Sequence, residues 1–454
     1  MKRLILMGMI LGTVSLYSQH PNTNMSGLAD EIERTLVDNE LKSWYPRTID
    51  EQFGGFLTNF DALWQPGETQ DKMIVTQARH VWTTAKAAQL YPDVPIYRTA
   101  ANAGFRFLAE YMWDHEFGGF YQMRTRQGGP LTDGYRDEKR VYGNAFGLYA
   151  AAAYYELTRD PQALDFAQQI FHWIEATAYD RQNGGYFQFI SREGRTFGKG
   201  YPSTAGDSLQ FGYKDQNPTI HLLEAYSELY RVWPDSLLRQ RLTELLLLVR
   251  DKITQPRGTM RLFFTADWRP ISLQDSSETF IRKNYGLDHV SFGHDIETGY
   301  LLLEASAALG WHDDERTAAV AKLLVDHALT YGWDNRVGGI YHAGYYFKGE
   351  REPRIIRDDK DWWSQAEALN SLLMMSQLYP DEEKYHQAFL RQWEYIKTYV
   401  IDWEHGGWYS LGLDTRPQSR DDMKAHSWKG SYHTSRALMN VVKMLREGRL
   451  FETH

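Results

Sequence analysis

Apolar residues recur along this chain at the 3.6-residue spacing of helices, and the helical stretches come in pairs. One pair is "RVYGNAFGLYAAAAYYELTRD" followed by "PQALDFAQQIFHWIEATAYD", and another is "PTIHLLEAYSELYRVWPD" followed by "SLLRQRLTELLLLVRDKI". This spacing places the apolar side chains on one face of each helix, and that face must be buried. The chain is therefore predicted to be predominantly helical.

A short glycine phrase separates the helical pairs. It reads "FGGFLTNF" from Phe53, and it recurs from Phe117, Asn183, Val337 and His405, with a degenerate copy, "RGTMRLFF", from Arg257. Paired glycines followed by alternating aromatic residues predict a tight turn that leads into a short strand. Six copies with two helices each predict an all-α fold, an (α/α)6 barrel with short β-hairpin connections. A linear helical solenoid is the competing topology.

The N-terminus has the layout of a secretory signal peptide. The stretch "MKRLILMGMILGTVSLYSQ" combines Lys2 and Arg3 with an apolar run and small residues around Ser18. We expect residues 1–19 to be a signal peptide and residues 20–454 to be a single (α/α)6-barrel catalytic domain. The protein is then expected to be periplasmic or secreted, or cytoplasmic if the start is mis-assigned.

Composition restricts the possible partners and chemistry. The net charge of −9 is spread along the chain without a basic block, so neither nucleic acid nor an anionic membrane is an expected partner. The chain contains no cysteine, which excludes disulfides, thiolate nucleophiles and thiolate zinc sites.

The helices that follow the glycine turns begin with polar or aromatic residues and are predicted to form the inner ring. In a barrel of parallel inner helices these first turns gather at one mouth, where free N–H groups and helix dipoles favour negative charge. The sequence therefore predicts a pocket that prefers an anion. Its candidate residues are Arg79, Tyr142, Asn144, His221, His294, Trp363, Glu367 and His433.

The pocket residues favour proton transfer. His294 and Glu297 are spaced i, i+3 and share a helix face, so the carboxylate could fix the tautomer of the imidazole. Together with His221 the pair could instead form a metal site of two histidines and one carboxylate. We expect neither a metal nor a cofactor. His80, His342, His405 and His426 are expected in loops or on the surface.

Six sequence motifs carry a family resemblance that covers nearly the whole chain after the expected signal peptide. They are "ARHVWTTAKA", "YGNAFGLYAAAAYYELT", "NPTIHLLEAYSELYRVWPD", "FGHDIETGYLLLEA", "WWSQAEALNSLL" and "WKGSYHTSRALM". The sequence resembles the N-acylglucosamine 2-epimerase superfamily, and most closely its cellobiose 2-epimerase branch. The resemblance implies an (α/α)6 barrel and cofactor-independent epimerisation at C2 of a reducing-end aldose.

The resemblance also implies roles for individual residues. His294 and His433 are similar to two opposed acid/base groups, and Glu297 to the residue that orients His294. Arg79 is similar to the arginine that holds the enediolate oxygens, and His221 to the histidine that helps to open the sugar ring. The expected substrate-binding residues are Tyr142, Asn144, Asn217, Trp363, Glu367 and Trp428.

Two motifs depart from the branch and leave the substrate open. This chain has Pro218-Thr219-Ile220 before His221 where the branch has Thr-His-Leu, and Gly430-Ser431 where it has Cys-Pro. The expected partner is a sugar, either free glucose and mannose or a cellobiose- or mannobiose-type disaccharide, and the expected assembly is a monomer or weak homodimer.

Three other functions stay open at this point. An aldose–ketose isomerase acting on mannose and fructose shares the enediolate. An inverting glycoside hydrolase on the same barrel would pair Glu297 with Glu367. A sugar- or partner-binding protein without catalysis is the third.

Overall fold

The computed structural model describes residues 25–131, 138–197, 214–311 and 313–448. The proposed signal peptide, residues 1–19, lies outside this range. The α-helices are α1 (Met25–Arg34), α2 (Lys42–Trp44), α3 (Ile74–Leu90), α4 (Pro95–Phe107), α5 (Val141–Thr158), α6 (Pro161–Thr177), α7 (Gln216–Val232), α8 (Ser236–Leu248), α9 (Glu278–Lys283), α10 (Phe292–Ala308), α11 (Glu315–Tyr331), α12 (Trp362–Leu378), α13 (Glu383–Tyr399) and α14 (Tyr432–Glu447). The helical path continues as π-helical turns after three of these helices, at Thr35–Leu41, Leu108–Met112 and Val249–Ile253.

The strands are short and pair only locally. They are β1 (Lys72–Met73), β2 (Met123–Arg124), β3 (Lys139–Arg140), β4 (Phe189–Ile190), β5 (Lys214–Asp215), β6 (Phe263–Phe264), β7 (Val290–Ser291), β8 (Ala343–Tyr345) and β9 (Arg354–Arg357). The antiparallel pairs are β1–β2, β3–β4 and β5–β6, and β7, β8 and β9 form a three-stranded sheet. Each of these four sheets joins the strand before an inner helix to a strand that follows a later glycine turn.

Six helices form a closed inner ring. Contacts run from α3 to α5, α7, α10, α12 and α14 in turn, and α14 packs back on α3. Each inner helix also packs against one outer helix, and α1 pairs with α14, so the two ends of the chain complete one helical pair. The predicted (α/α)6 barrel is confirmed, and a linear solenoid is excluded because the ring closes.

Inner and outer helices differ in their apolar pattern as burial requires. In α5 every residue from Val141 to Ala153 is buried, which is the pattern of a helix surrounded by other helices. In α6 the buried residues include Ala163, Ala167, Ile170 and Ile174, which form one stripe. Within the described residues, no helix is both long and apolar enough to cross a bilayer.

The glycine phrases are confirmed as tight turns. In Gly118–Gly119 both residues have positive φ, 70° and 75°, a conformation that glycine adopts without steric cost. A Cβ on Gly119 would lie 2.4 Å from the Trp173 ring. A single antiparallel bridge closes this turn between Trp113 and Phe120, so the strand expected after the glycines is shorter than predicted.

A buried ion pair braces five of the six turns. Lys139 Nζ donates to Asp114 Oδ2 at 2.9 Å and to the carbonyl of Gly118, and both charged side chains are buried. The other pairs are Lys72–Asp50, Lys214–Asp180, Lys360–Asp334 and Lys424–Asp402. In the degenerate copy, Gln255 and Val290 occupy the corresponding positions. Both members of the pair are thus replaced together, which avoids an unpaired buried charge.

Candidate active site

The first turns of the inner helices converge at one mouth of the barrel. The Tyr142 ring on α5 lies 5.3 Å from the His221 ring on α7. The Trp363 ring on α12 lies 4.7 Å from His294 on α10 and 5.7 Å from His433 on α14. Side chains from five helices therefore meet in one place, as the sequence predicts for parallel inner helices.

Arg79 on α3 is held at this mouth by aromatic rings. Its guanidinium carbon lies 4.3 Å from the Phe146 ring centroid and 5.1 Å from that of Tyr432, and Nη2 donates to the hydroxyl of Tyr142 at 3.0 Å. These contacts fix a permanent positive charge in a largely apolar setting. Burial raises the pKa of Tyr142, so its phenol remains neutral.

His433 forms a dyad with Glu367. Its Nδ1 lies 2.7 Å from Glu367 Oε1, and both side chains are buried. A carboxylate accepts hydrogen bonds, so Nδ1 carries the hydrogen and Nε2 is the basic nitrogen. Burial, with further contributions from Arg79 and Arg436, lowers the pKa of His433 well below its usual value. The expectation that Glu367 binds the sugar stays a prediction, and the structure adds its contact with His433.

His294 has a different partner from the one expected. Its Nδ1 is hydrogen-bonded to the Ser291 hydroxyl at 2.7 Å, whereas Glu297 accepts from Arg436 Nη2 at 2.6 Å. The expectation that Glu297 orients His294 is therefore corrected: the i, i+3 spacing permits the contact, but the stronger guanidinium donor engages the carboxylate. Burial and the neighbouring histidines, His221 first, lower the pKa of His294 well below its usual value.

His221 is paired with Glu224 one turn along α7. The His221 Nδ1 lies 2.9 Å from Glu224 Oε2, and Glu224 Oε1 also accepts from Tyr432 and Arg436. Burial alone would raise the pKa of Glu224, but Arg436 and His221 offset it and lower the pKa to about 2. The carboxylate is therefore ionised and holds the His221 ring in one orientation.

Asn144 is not a pocket residue. Its side chain is fully buried, its Oδ1 accepts from the backbone N–H of Phe120 at 2.8 Å, and its Nδ2 donates to the carbonyl of Arg140 at 2.8 Å. Both ends of the amide thus fasten α5 to the preceding glycine turn. Asp295 makes the same contact at Met260, so this position of the repeat has a structural role, and the substrate-binding expectation for Asn144 is corrected.

Asn217 and Trp428 lie at the rim of the mouth. Asn217 is half-buried in the first turn of α7, where its backbone N–H donates to Asp215. Trp428 precedes α14, is 44% exposed, and its ring lies 6.4 Å from that of Tyr142. An exposed indole beside the mouth is suited to stack on a flat ligand face.

The remaining histidines differ in their environments. His80 was expected on the surface, and this is wrong: it is buried, hydrogen-bonded to Tyr45 at 2.8 Å and stacked on Phe56. His405 is exposed as expected. His342 lies 2.5 Å from Asp361 and stacks on His289, a residue that sequence reasoning missed.

Two groups of side chains have the spacing of metal ligands among the described residues. They are Glu297, Glu367 and His433, and His342, Asp359 and Asp361. In the first group the Arg436 guanidinium already pairs with both carboxylates. In the second, Arg357 pairs with Asp359 and His342 with Asp361. A metal ion in either group would therefore compete with a guanidinium or an imidazole that already pairs with the carboxylates.

A cavity of about 660 Å³ lies at the opposite end of the barrel. It is lined by the last turns of the inner helices, including Leu90, Val232 and Ala308, and by Lys86, Arg231 and Glu304. None of the described residues that line this cavity is a histidine. We place the chemistry at the histidine mouth because acid/base groups converge there.

Known proteins resemble this chain along almost its whole length. A cellobiose 2-epimerase from Bacteroides fragilis is 30% identical over 419 residues, which are 91% of this chain and 98% of that protein. A D-mannose isomerase from Marinomonas mediterranea is 24% identical over 90% of this chain and 96% of that protein. The solved structure of a cellobiose 2-epimerase from Bacillus thermoamylovorans superimposes with a TM-score of 0.79 at 26% identity and covers 93% of this chain and 100% of that one.

A family model extends over most of the chain. It describes N-acylglucosamine 2-epimerase and matches residues 54–437, which include five of the six inner helices in full and the start of α14. On this match and on the barrel described above, the chain belongs to the N-acylglucosamine 2-epimerase family.

Proposed function

We propose that this protein is a carbohydrate 2-epimerase that interconverts glucose- and mannose-configured reducing ends. The observation that carries the proposal is the placement of two imidazoles, His294 and His433, on either helix beside α12, with both rings against Trp363. Family membership and the cellobiose 2-epimerase relatives support the substrate class. The substrate is a disaccharide of the cellobiose or mannobiose type, or the free monosaccharide.

The proposed reaction proceeds through an enediolate. One neutral imidazole takes the C2 proton of the open-chain aldose, the C–H electron pair forms the C1–C2 double bond, and the negative charge moves to O1. That charge raises the proton affinity of the second imidazole, which takes a proton from solvent and delivers it to the other face of C2 as the electron pair of the double bond forms the new C–H bond and O1 becomes a carbonyl oxygen again. The first imidazolium then releases its proton to solvent, and both imidazoles are neutral again. The lowered pKa values of His294 and His433 keep both imidazoles available as bases near neutral pH.

Arg79 and His221 have supporting roles in this proposal. Arg79 offers a fixed positive charge to the developing oxyanion, and a well-placed donor of this kind contributes about 3–4 kcal/mol. His221, oriented by Glu224, transfers the proton between O5 and O1 when the ring opens and closes. The converging helix N-termini add to the favourable potential for the enediolate.

Deuterium exchange at C2 tests the proposal. The protein is incubated in heavy water, without added metal, with glucose, mannose, cellobiose or mannobiose in separate tubes, and followed by proton and carbon NMR. We expect deuterium at C2 together with the epimer, and the fastest tube identifies the substrate. Unlabelled sugar in all four tubes would contradict the proposal.

An aldose–ketose isomerase is the second candidate, favoured by the D-mannose isomerase relative. It shares the enediolate and differs in returning the proton to C1. The same NMR spectra separate the two functions, because isomerisation yields ketose signals.

The geometry disfavours an inverting glycoside hydrolase. Such an enzyme needs two carboxyl groups about 6.5–9.5 Å apart with a water between them. Glu297 and Glu367 each accept from the same nitrogen, Arg436 Nη2, at 2.6 and 2.7 Å. Their paired oxygens are therefore too close together for that mechanism.

We also propose that residues 1–19 direct export of the protein. The support is the charged start, apolar run and small residues of this segment. Expression of the full chain in a bacterial host, followed by intact-mass measurement of the periplasmic fraction, is expected to give a product shortened near residue 20. Full-length protein confined to the cytoplasm would contradict it.

A further inference from the structure

Arg436 is a buried cation that sequence reasoning did not single out. It lies on α14 three residues after His433, so the two side chains share a helix face. Its side chain is 1% exposed. A charge in this position must be paired, because the cost of moving an ion into a dry interior is several kcal/mol.

Three carboxylates from three other inner helices meet this one guanidinium. Nη1 pairs with Glu224 on α7. Nη2 lies 2.6 Å from Glu297 on α10 and 2.7 Å from Glu367 on α12. The planar fork of an arginine can serve several oxygens at fixed angles, which the single ammonium of a lysine cannot.

Two of these carboxylates also contact the acid/base histidines. Glu224 reaches His221 Nδ1 at 2.9 Å and Glu367 reaches His433 Nδ1 at 2.7 Å. The Arg436 guanidinium is therefore linked to two imidazoles on different helices, to each of them through one carboxylate. The arrangement leaves both imidazoles with Nε2 as the nitrogen that is free to exchange a proton.

We propose that Arg436 is a positioning residue: by holding Glu224 and Glu367 together it fixes His221 and His433 in the Nδ1–H tautomer with Nε2 directed to the mouth. The kinetic effects expected of this role rest on the proposed epimerase function, whereas the expected histidine tautomers do not. Arg436 cannot lose its proton in a protein, so its positive charge is present at every working pH.

Charged and titratable groups face His433 from several helices. They are Arg79 on α3, His221 on α7, Glu297 on α10, Glu367 on α12 and Arg436 on α14. Arg436 lowers the pKa of His433. Its removal is therefore expected to move the acid limb of the pH–rate profile to higher pH.

The test compares Arg436→Met and Arg436→Lys with a matched control, Arg231→Met. Arg231 also joins two carboxylates, Glu228 at 3.2 Å and Glu304 at 3.1 Å, but at the far end of the barrel. We expect kcat for the sugar that the wild-type protein epimerises fastest to fall about 100-fold in both Arg436 variants, because small displacements of catalytic groups have effects of this size. KM is expected to stay within threefold, and Arg231→Met to retain kcat within twofold.

The second measurement is independent of turnover. In ¹⁵N-histidine-labelled protein, the nitrogen shifts of His433 report its tautomer. We expect the Nδ1–H form in the wild-type chain and in Arg231→Met, and a mixture of tautomers in the Arg436 variants. If no sugar is epimerised by the wild-type protein, the proposed function fails while the NMR comparison still tests the role of Arg436.

Wild-type kcat, an unshifted acid limb and an unchanged His433 tautomer in a folded Arg436→Met variant would overturn the proposal. If Arg436→Met does not fold, Arg436→Lys is the variant that tests the proposal, because it keeps the positive charge and loses the planar guanidinium. Loss of kcat with mixed tautomers supports the positioning role, and wild-type behaviour overturns it.

Discussion

Among the described residues, the two ends of the barrel both contain arginines paired with carboxylates, but histidines gather at only one of them. At the histidine mouth, Arg436 connects to His221 and His433 through Glu224 and Glu367. At the far end, an ion-pair chain runs from Glu156 through Lys86, Glu228 and Arg231 to Glu304. Among the described residues that line the far cavity there is no histidine.

Helix polarity accounts for this difference. The N-terminal turns of the inner helices carry partial positive charge and favour an anion, whereas their C-terminal turns favour cations. Lys86 and Arg231 lie near the C-terminal ends of α3 and α7, a position in which the helix dipole favours cations. The cavity of about 660 Å³ is thus at the end suited to structural ion pairs, and the presence of a cavity alone does not locate the chemistry.

The largest expected effect is the loss of an imidazole at the mouth. His433→Ala is expected to lower kcat at least 100-fold, because a positioned acid/base group contributes about 10²–10⁴-fold. Epimerisation rates measured by NMR, with circular dichroism to verify the fold, check this prediction. Glu304→Gln at the far end is the comparison variant and is expected to retain kcat within twofold. Equal losses in both variants would remove the functional distinction between the ends.

The next effect concerns stability below neutral pH. Burial lowers the pKa of His80 to about 3 and that of His289, also with a contribution from His342, to about 3. The unfolded chain binds these protons below about pH 6.5 and the folded protein does not, so the contribution of these two histidines to stability is constant above that pH and falls as the pH decreases. Each such histidine is expected to contribute a slope of about 1.4 kcal/mol per pH unit. Urea unfolding from pH 7.5 to 4.5 measures it.

A variant at one buried histidine sharpens this prediction. His80→Gln is expected to be less stable at pH 7 but to lose less stability between pH 6.5 and 4.5 than the wild-type chain. Among the described residues that line the far cavity there is no histidine that could titrate in this pH range. A wild-type slope that is unchanged in His80→Gln would show that His80 is not the group titrating.

A smaller effect is expected at the far end itself. Lys86 lies 2.5 Å from Glu228 and also pairs with Glu156. Lys86→Met leaves both carboxylates without this cation, and we expect a loss of about 1–2 kcal/mol in the free energy of unfolding. The loss is below that of a fully buried pair because the Lys86 side chain retains some solvent exposure.

An exposed pair provides the control for this variant. Lys42 and Asp38 are 2.6 Å apart with both side chains more than half exposed. Lys42→Met is therefore expected to change stability by less than about 0.5 kcal/mol. Urea unfolding of both variants, with kcat per folded molecule, separates a stability role from a catalytic one.

The periodic parts of the molecule could be predicted from the sequence. Helical spacing and the repeated glycine phrase predict the barrel, because six similar units must bury their apolar faces against one another. The aspartate four residues before each glycine pair, such as Asp114 before Gly118, is visible in the sequence and would have predicted the buried lysine pairs.

The pairing of side chains within the mouth could not be predicted in the same way. Local spacing suggested that Glu297 contacts His294, but a residue distant in sequence, Arg436, is the stronger partner. The contact between Glu367 and His433 likewise joins residues 66 apart. Contacts between residues that lie far apart in the sequence cannot be recognised from local spacing. The one available signal was a lone arginine one turn after a candidate histidine on an inner helix.

The smallest effect tests the partner of His294. The Ser291 hydroxyl is hydrogen-bonded to Nδ1 of His294 at 2.7 Å and lies at the start of α10. A hydrogen bond between neutral groups contributes about 1 kcal/mol, so Ser291→Ala is expected to lower kcat about fivefold. Glu367→Gln, which weakens a charged contact to His433, is expected to lower kcat more than Ser291→Ala. Such a ranking would indicate that the two imidazoles are held by contacts of unequal strength. The reverse ranking would mean that the hydroxyl, and not the carboxylate, limits the geometry of the proposed proton transfer.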